Sequence, residues 1–303
     1  MSGGVDVVYD VPLGGLGTMR QVSQSSFSES IEVMAARMSG APVISDQFIQ
    51  SANPIAEVAG VDIGSFLTMF GTAGGQIANG AGVIIPYHKR VPGGTFYDGS
   101  ANVVVKGVLN NPVQVEPVSI TAPTMGSPVA NGRLHFLSAD GITRPWDVLA
   151  NQALVSQDFI GCYGLGPVFV DIGSGYFQVP RQIGFTVNFG IGFSEKKHFD
   201  GAVYPTEIYI EEMNPSIEFN QEDFDLLAAI AGGKPITGVK CWLRRRASGG
   251  TYVADNVASH IKFSFTSGFL QHQSVSASET KNGQQVVRCL GRTLLVGNGV
   301  VLS

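Results

Sequence analysis

The sequence predicts a mainly-β protein built as two tandem copies of one small β-sandwich or barrel, each with a flanking α-helix. Two observations predict it: a set of motifs that recurs in one order, and many short alternating segments bounded by Gly, Pro or Asn. His88-Lys89-Arg90, two further residues, then Gly93-Gly94-Thr95-Phe96 is answered 156 positions on (246 minus 90) by Arg244-Arg245-Arg246, two residues, then Gly249-Gly250-Thr251-Tyr252. Ile49, Asn53-Pro54 and Glu57 are answered by Ile210, Asn214-Pro215 and Glu218, and Gly107-Val108-Leu109 by Gly268-Phe269-Leu270. Upstream, Val11-Pro12 and Phe27-Ser28-Glu29 match Val179-Pro180 and Phe193-Ser194-Glu195, so the offset drifts to 168 (179 minus 11), as loop insertions would make it. A period of this size implies two domains, residues 1–135 and 168–303, joined by a connection at 136–167.

The elements follow from local pattern. Ile183, Phe185, Val187, Phe189, Ile191 and Phe193 alternate with small or polar residues, which places one face in a core. Shorter alternations at Val103/Val105, Val113/Val115, Val118/Ile120, Ile208/Ile210, Ile217/Phe219, Val239/Cys241/Leu243 and Ile261/Phe263/Phe265 give further strands. One helix is expected from Asp62 to Phe70, with Phe66, Leu67 and Phe70 inward. Its counterpart starts at a cap on Asn220, buries Phe224, Leu227 and Ile230, and stops at Gly232-Gly233. Ser28–Met38 adds a helix in the first copy, with Ile31, Met34, Ala35 and Met38 on one side, and a short helical stretch runs from Trp146 through Leu149.

Composition narrows the function. Hydrophobic residues are 44% of the 303, enough for two cores, and charged residues only 14%. So little charge implies that much of the exterior meets other subunits rather than water. A net charge of −5 argues against gripping nucleic acid through its phosphates. Neither a membrane-spanning run nor a signal peptide is expected. Cys162, Cys241 and Cys289 are odd in number and widely spaced, which suits buried thiols in a reducing compartment.

No catalytic, cofactor or metal site is expected. The sequence holds no nucleophile elbow, phosphate-binding loop, dinucleotide fingerprint or zinc-binding helix. Histidines 88, 135, 198, 260 and 272 are dispersed, and the carboxylates between Glu195 and Asp225 read as an acidic surface, since no calcium-loop spacing accompanies them. The two basic triplets have two readings: solvated turns between strands, or a subunit interface placed alike on both copies.

The stretch from the Ile183–Phe193 strand, through the charged loop Ser194–Gly201 and Ile208-Tyr209-Ile210, to Asn214-Pro215 and the helix at 221–231 resembles a tailed-bacteriophage tail tube protein (a major tail protein). Through the internal repeat the likeness covers most of the chain. The resemblance implies a virion structural protein, assembled in the host cytoplasm, whose stacked rings form a tube that conducts the genome during ejection. The departure from the family's single-domain form implies a trimeric ring with pseudo-sixfold symmetry in place of a hexamer. Its other partners would be tape-measure, terminator and baseplate proteins, and the DNA would pass without sequence-specific binding. A neutral or acidic lumen would let it slide. Asp46, Phe48 and Gln50 with Glu207, Tyr209 and Glu211 are the candidate lumen face, the alternative being the tube's exterior. His88, Lys89, Arg90, Glu195, Lys196, Lys197, His198, Asp200, Arg244, Arg245 and Arg246 are the candidate interface. Other structural readings are a capsid, decoration or tail-adaptor protein; a two-domain ligand-binding module is the reading from another class.

Overall fold

The computed structural model describes every residue except 1–4, 8–9, 37–38, 40–43, 45, 91–96, 151–161, 199–200, 223–225, 227–229, 231, 248, 279–280 and 303. Its first half forms β1 (Val5–Val7), β2 (Val11–Pro12), β3 (Thr18–Met19), β4 (Val22–Ser28), β5 (Glu32–Ala36), β6 (Asp46–Ser51), β7 (Ile55–Gly60), α1 (Ile63–Phe70), β8 (Gly75–Ile77), β9 (Ile84–Arg90), β10 (Tyr97–Gly107), β11 (Val113–Pro123), β12 (Val129–Phe136) and β13 (Trp146–Ala150). The second half forms β14 (Cys162–Asp171), β15 (Tyr176–Gln178), β16 (Gln182–Asn188), β17 (Ile191–Lys196), β18 (Glu207–Met213), β19 (Ser216–Gln221), β20 (Lys234–Ile236), β21 (Gly238–Arg246), β22 (His260–Phe265), β23 (Gly268–Ser278), β24 (Lys281–Gly291) and β25 (Leu295–Val300).

The expected pair of barrels or sandwiches, each with its own helix, is not what forms. One open ten-stranded antiparallel sheet runs through both halves in the order β20-β23-β24-β19-β16-β11-β12-β7-β4, with β8 also on β11, and among the described residues no sheet closes on itself. Among the described residues α1 is the one helix of seven residues or more. Asn220, expected to cap a second helix, is instead a strand residue of β19 opposite Val286. Gln221 is still part of β19 and Glu222 is not helical; Leu226 and Ile230 are helical and buried, and residues 223–225, 227–229 and 231 lie outside the described residues.

Two other helical expectations gave way to strands. Glu32–Ala36 is β5, paired with β6, and Trp146–Ala150 is β13, paired with β10. In both, a few apolar residues mimic a helical stripe, but partner strands satisfy the backbone instead. The long alternating strand also divides. Gly190, at a φ of 62°, turns the chain between β16 and β17, and a Cβ there would stand 2.0 Å from the Asn214 carbonyl oxygen. That turn needs glycine. Before it Phe185, Val187 and Phe189 are buried; after it Ile191 and Phe193 are only half-buried.

α1 begins where the Asp62 carboxylate accepts the Ser65 amide at 3.1 Å, satisfying an amide that the first turn leaves unpaired. Ile63, Phe66, Leu67, Met69 and Phe70 are buried, and Phe66 and Phe70 stack with centroids 4.5 Å apart. The Phe70 ring lies directly over Gly132 of β12, where a Cβ would meet it at 2.4 Å. The buried side chains of both halves, from Val11 to Leu294, form one continuous apolar cluster rather than two. It also takes in residues of the four-stranded sheet β1-β9-β10-β13 and the five-stranded sheet β15-β14-β21-β22-β25.

Along the large sheet, strand order repeats. Reading β8-β11-β12-β7-β4 and then β20-β23-β24-β19-β16 gives the same neighbours in the same sequence. Ile55 stands opposite His135 as Ser216 stands opposite Leu290, which sets offsets of 161 (216 minus 55) and 155 (290 minus 135). Irregularities coincide too: the register shifts at Val22/Gln24 and Gln182/Gly184, at Glu32/Val33 and Gly192/Phe193, and at Pro117/Ser119 and His272/Ser274. Gln21 and Arg181, just before β4 and β16, both hold positive φ (54° and 47°), and Ser30 (46°) matches Gly190 (62°). Each bulge is a local departure from regular pairing, so their joint recurrence ties the two halves strand by strand. The upstream match of Phe27 with Phe193 falls out of register, because Phe27 faces Ala56 as Val187 faces Ile217.

Candidate functional site

The two halves meet by strand pairing. β16 runs antiparallel to β11, with Ser119 opposite Asn188 and Pro123 opposite Gly184. β11 accommodates two neighbours on this side: β8 takes Val113–Val115 and β16 takes Ser119–Pro123. Pro117 sits at the bulge between them, where a missing amide costs no ladder bond. One face of the large sheet is apolar and buried; the other carries small and polar side chains. On it Thr186 donates to Thr121 at 3.3 Å, Asn131 donates to Ser119 at 3.1 Å, and two ion pairs repeat, Arg133–Glu57 at 3.0 Å and Arg288–Glu218 at 3.3 Å. These four charges cancel in pairs, so the face has no positive surplus from them.

The β17–β18 hairpin then sits on the first half. Its loop is pinned by backbone bonds from Ala52 N to Val203 O at 3.0 Å, Ser138 N to Pro205 O at 2.9 Å and Val203 N to Gly141 O at 2.8 Å. Asp140 shapes the receiving turn by accepting from the Thr143 hydroxyl at 2.6 Å and the Ile142 and Thr143 amides at 2.9 and 2.7 Å. Those bonds hold its carboxyl well below the usual carboxylate range. Under the hairpin, Phe193 meets the His135 ring edge-on at 5.6 Å, and Asn53 donates to Glu195 at 2.5 Å.

His135 is the hinge of this contact. Its Nε2 lies 2.8 Å from buried Glu116, while its Nδ1 lies 3.8 Å from Glu195, an ion-pair rather than a hydrogen-bond separation. Burial pulls the His135 pKa down, but the two carboxylates outweigh it and leave it raised. Burial pushes Glu195 up, and His135 with Asn53 outweighs that, leaving it lowered. Arg133 adds a second cation, its Nη1 lying 3.6 Å from Glu116, so the group is a paired-charge anchor between the halves.

The sequence-predicted residues distribute as follows. Asp46, Phe48 and Gln50 are exposed on β6, and Glu207, Tyr209 and Glu211 are exposed on β18, at matching register. Glu207 accepts from the Tyr209 hydroxyl and lies 2.7 Å from His198, while the Lys196 ammonium sits 4.3 Å over the Tyr209 ring. Candidate lumen and candidate interface residues thus share one patch on the hairpin. The Tyr209 bond, followed by His198, lowers the Glu207 pKa. Lys197 is exposed beside them, and Asp200 lies outside the described residues. Arg244, Arg245 and Arg246 are half-buried residues of β21, not a solvated turn, and they are engaged within their own chain. Arg244 pairs with Asp255 at 2.6 Å, Arg244 and Arg246 flank the Tyr252 ring, and Arg245 lies over Tyr163. His88, Lys89 and Arg90 are placed by their backbone in β9, opposite Asn102, Asp98 and Tyr97.

Sequence reasoning missed Glu57, Arg133, Glu218 and Arg288 as paired charges of the sheet face, and Glu116 and His135 as a buried pair beneath the hairpin. Glu57 and Glu218 were visible as repeat landmarks, but their arginine partners lie on other strands, and strand pairing has no local signal. Among the described residues no group of three or more His, Cys, Asp or Glu is placed to hold a metal ion. Cys241 and Cys289 are buried free thiols, with burial pushing Cys289 up to about 12. No protein-family model matches the chain, and no curated protein matches it.

Proposed function

We propose that the chain is a virion structural protein whose copies assemble into the stacked rings of a phage tail tube and conduct the genome at ejection. The observation that carries the reading is the β11–β16 junction. It joins two halves of matching strand order edge to edge, and among the described residues the edges of β4 and of the far part of β23 have no further strand neighbour. A chain whose halves already associate head to tail is suited to continue in that direction through further copies, and such a heterologous contact closes a ring when its rotation allows.

Physical chemistry favours a conduit over a gripping surface. The uncovered sheet face is small and polar with its charges paired, and the whole chain is net negative, so a passing polyanion meets no array of free cations. In this reading three copies, each with two halves of like strand order, make a ring of pseudo-sixfold symmetry. The tape-measure protein fills it before the DNA does, and terminator and baseplate proteins meet its ends.

Purified protein imaged in negative stain, with its mass measured in solution on the same sample, tests the reading. Hollow rods built from rings are expected. A monomer at every concentration contradicts it, and closed shells or isolated rings favour a capsid or adaptor role instead.

A further inference from the structure

The internal junction has two halves to its contact: strand pairing of β16 on β11, and the β17–β18 hairpin seated over His135. Each has an unoccupied counterpart. On β23, β20 takes only Gly268–Leu270, and among the described residues Ser274–Ser278 has no neighbour on that side. These five positions correspond to Ser119–Pro123, the ones β16 takes on β11 (274 minus 119 is 155). At the other end of the sheet β4, the counterpart of β16, pairs among the described residues only with β7.

The seat is open as well. A depression of about 410 Å³ lined by Phe269, Leu290, Gly291 and Arg292 lies where the first half has Gln114, His135, Phe136 and Leu137. Phe269 is 38% exposed there. The matching hairpin, β5–β6, leaves Val33 55% and Phe48 49% exposed. Val33 occupies the register position of Phe193, and Ala35 that of Glu195. Where the covered seat is polar, with His135 and Asn53 meeting Glu195, the open one offers Leu290 to Val33 and Ala35. The exposed Val33 and Phe48 of the hairpin therefore match Phe269 and Leu290 of the seat in chemistry as well as position, while Arg292 in the same lining is charged and Asn214 answers Asn53.

We infer that the occupant of both is a second copy of this chain: its β4 pairs antiparallel with Ser274–Ser278, and its β5–β6 hairpin covers the Phe269/Leu290 depression. The register follows from the internal junction. Thr186 opposite Thr121 translates to Ser26 of one copy opposite Ser276 of the next, and Asn188 opposite Ser119 to Ser28 opposite Ser274. Open strand edges are templates for such addition, and nothing in β4 or in Ser274–Ser278 blocks it with proline or charge. The inference rests on the assembly reading above and names its surfaces.

The test uses full-length chains with Cys162 replaced by Ser, carrying either Ser26→Cys or Ser276→Cys. Directly opposed strand residues come close enough for a disulfide with little adjustment. Mild oxidation of the mixture is expected to give a covalent dimer absent from either variant alone, so the bridge is intermolecular. In parallel, Val33→Asp and Val275→Asp, both changes at exposed positions, are expected to abolish assembly with unfolding midpoints unchanged. Rods that form without cross-linking in the mixture, or undiminished assembly of both Asp variants, would overturn the pairing and leave the tube reading standing. Cross-linked chains that never form rods would keep the pairing and sink the tube.

Discussion

In the first half, the ground formed by β11, β12 and the turn at Asn53 is covered by a hairpin from the same chain; in the second half the matching ground beside β23 and β24 is bare. The covered version is polar, built on Glu116, His135 and Glu195. The bare version replaces the first two with Gln271 and Leu290. Within one chain the hairpin is held at high effective concentration, so a buried charge cluster can be used to fix geometry although it adds little net stability. A contact that must form between copies gains more from apolar burial, which supplies its own driving force. On the proposed assembly, the same backbone plan is dressed differently according to whether its partner is tethered.

Exchanging residues between the halves sharpens this comparison. The largest effect is expected in the core. Phe219 is fully buried opposite Val287, while Val58 at the matching position faces Gly132, whose missing side chain leaves room for Phe70. Phe219→Ala is expected to cost about 3–5 kcal/mol and Val58→Ala about half that, measured by denaturant unfolding. Gly132→Val, which imports the second half's residue, is expected to cost about 1–3 kcal/mol by overpacking against Phe70.

Next comes the anchor. His135→Leu leaves buried Glu116 with only the longer Arg133 pair at 3.6 Å and is expected to cost about 1–3 kcal/mol, most of it recovered by adding Glu116→Gln to reproduce the second half's pair. The pH dependence is specific. Because the folded pKa of His135 is raised, its contribution is complete below the unfolded value of 6.5 and is lost as pH climbs through the folded one. Glu195, lowered in the fold, contributes fully above 4.5 and loses its contribution as pH falls through its folded value. Unfolding midpoints should show the two together at pH 4.5–6.5, and His135→Leu should erase the alkaline arm.

Smaller effects lie at the turns and on the uncovered face. Ser30→Gly, which gives the first half the residue used at Gly190, is expected to stabilise by about 1 kcal/mol by relieving a positive φ, whereas Gly190→Ser destabilises by more than that. Arg133→Ala and Arg288→Ala are expected to cost about 0–1 kcal/mol each, because both pairs are partly exposed. A larger loss at one of them would break the equivalence of the two faces.

Much of the strand content was legible because alternation is local: Val113/Val115, Ile217/Phe219 and Val239/Cys241/Leu243 are all strand residues buried in the core. The Asp62–Phe70 helix was equally readable from its cap and stripe. What failed was pairing. Nothing local tells β16 to leave its own half and join β11, so separate closed units were expected where one open sheet forms. Ser28–Met38 misled because its apolar Ile31, Val33 and Met34 are exposed rather than buried in a core, and exposed apolar residues imitate a helical stripe as readily as buried ones, while Met38 lies outside the described residues. The arginine triplet allows a solvated turn or a subunit interface on sequence alone; it lies in strand β21, where Tyr252, Tyr163 and Asp255 contact it within the chain.

Amide hydrogen exchange, followed before and after assembly, tests the central claim most directly. Slow exchange is expected at the β11–β16 joint in both states, with new protection confined to β4, the β5–β6 hairpin and Ser274–Ser278 once copies associate. Assembly that leaves those three segments exchanging as fast as in the separate chain would contradict it.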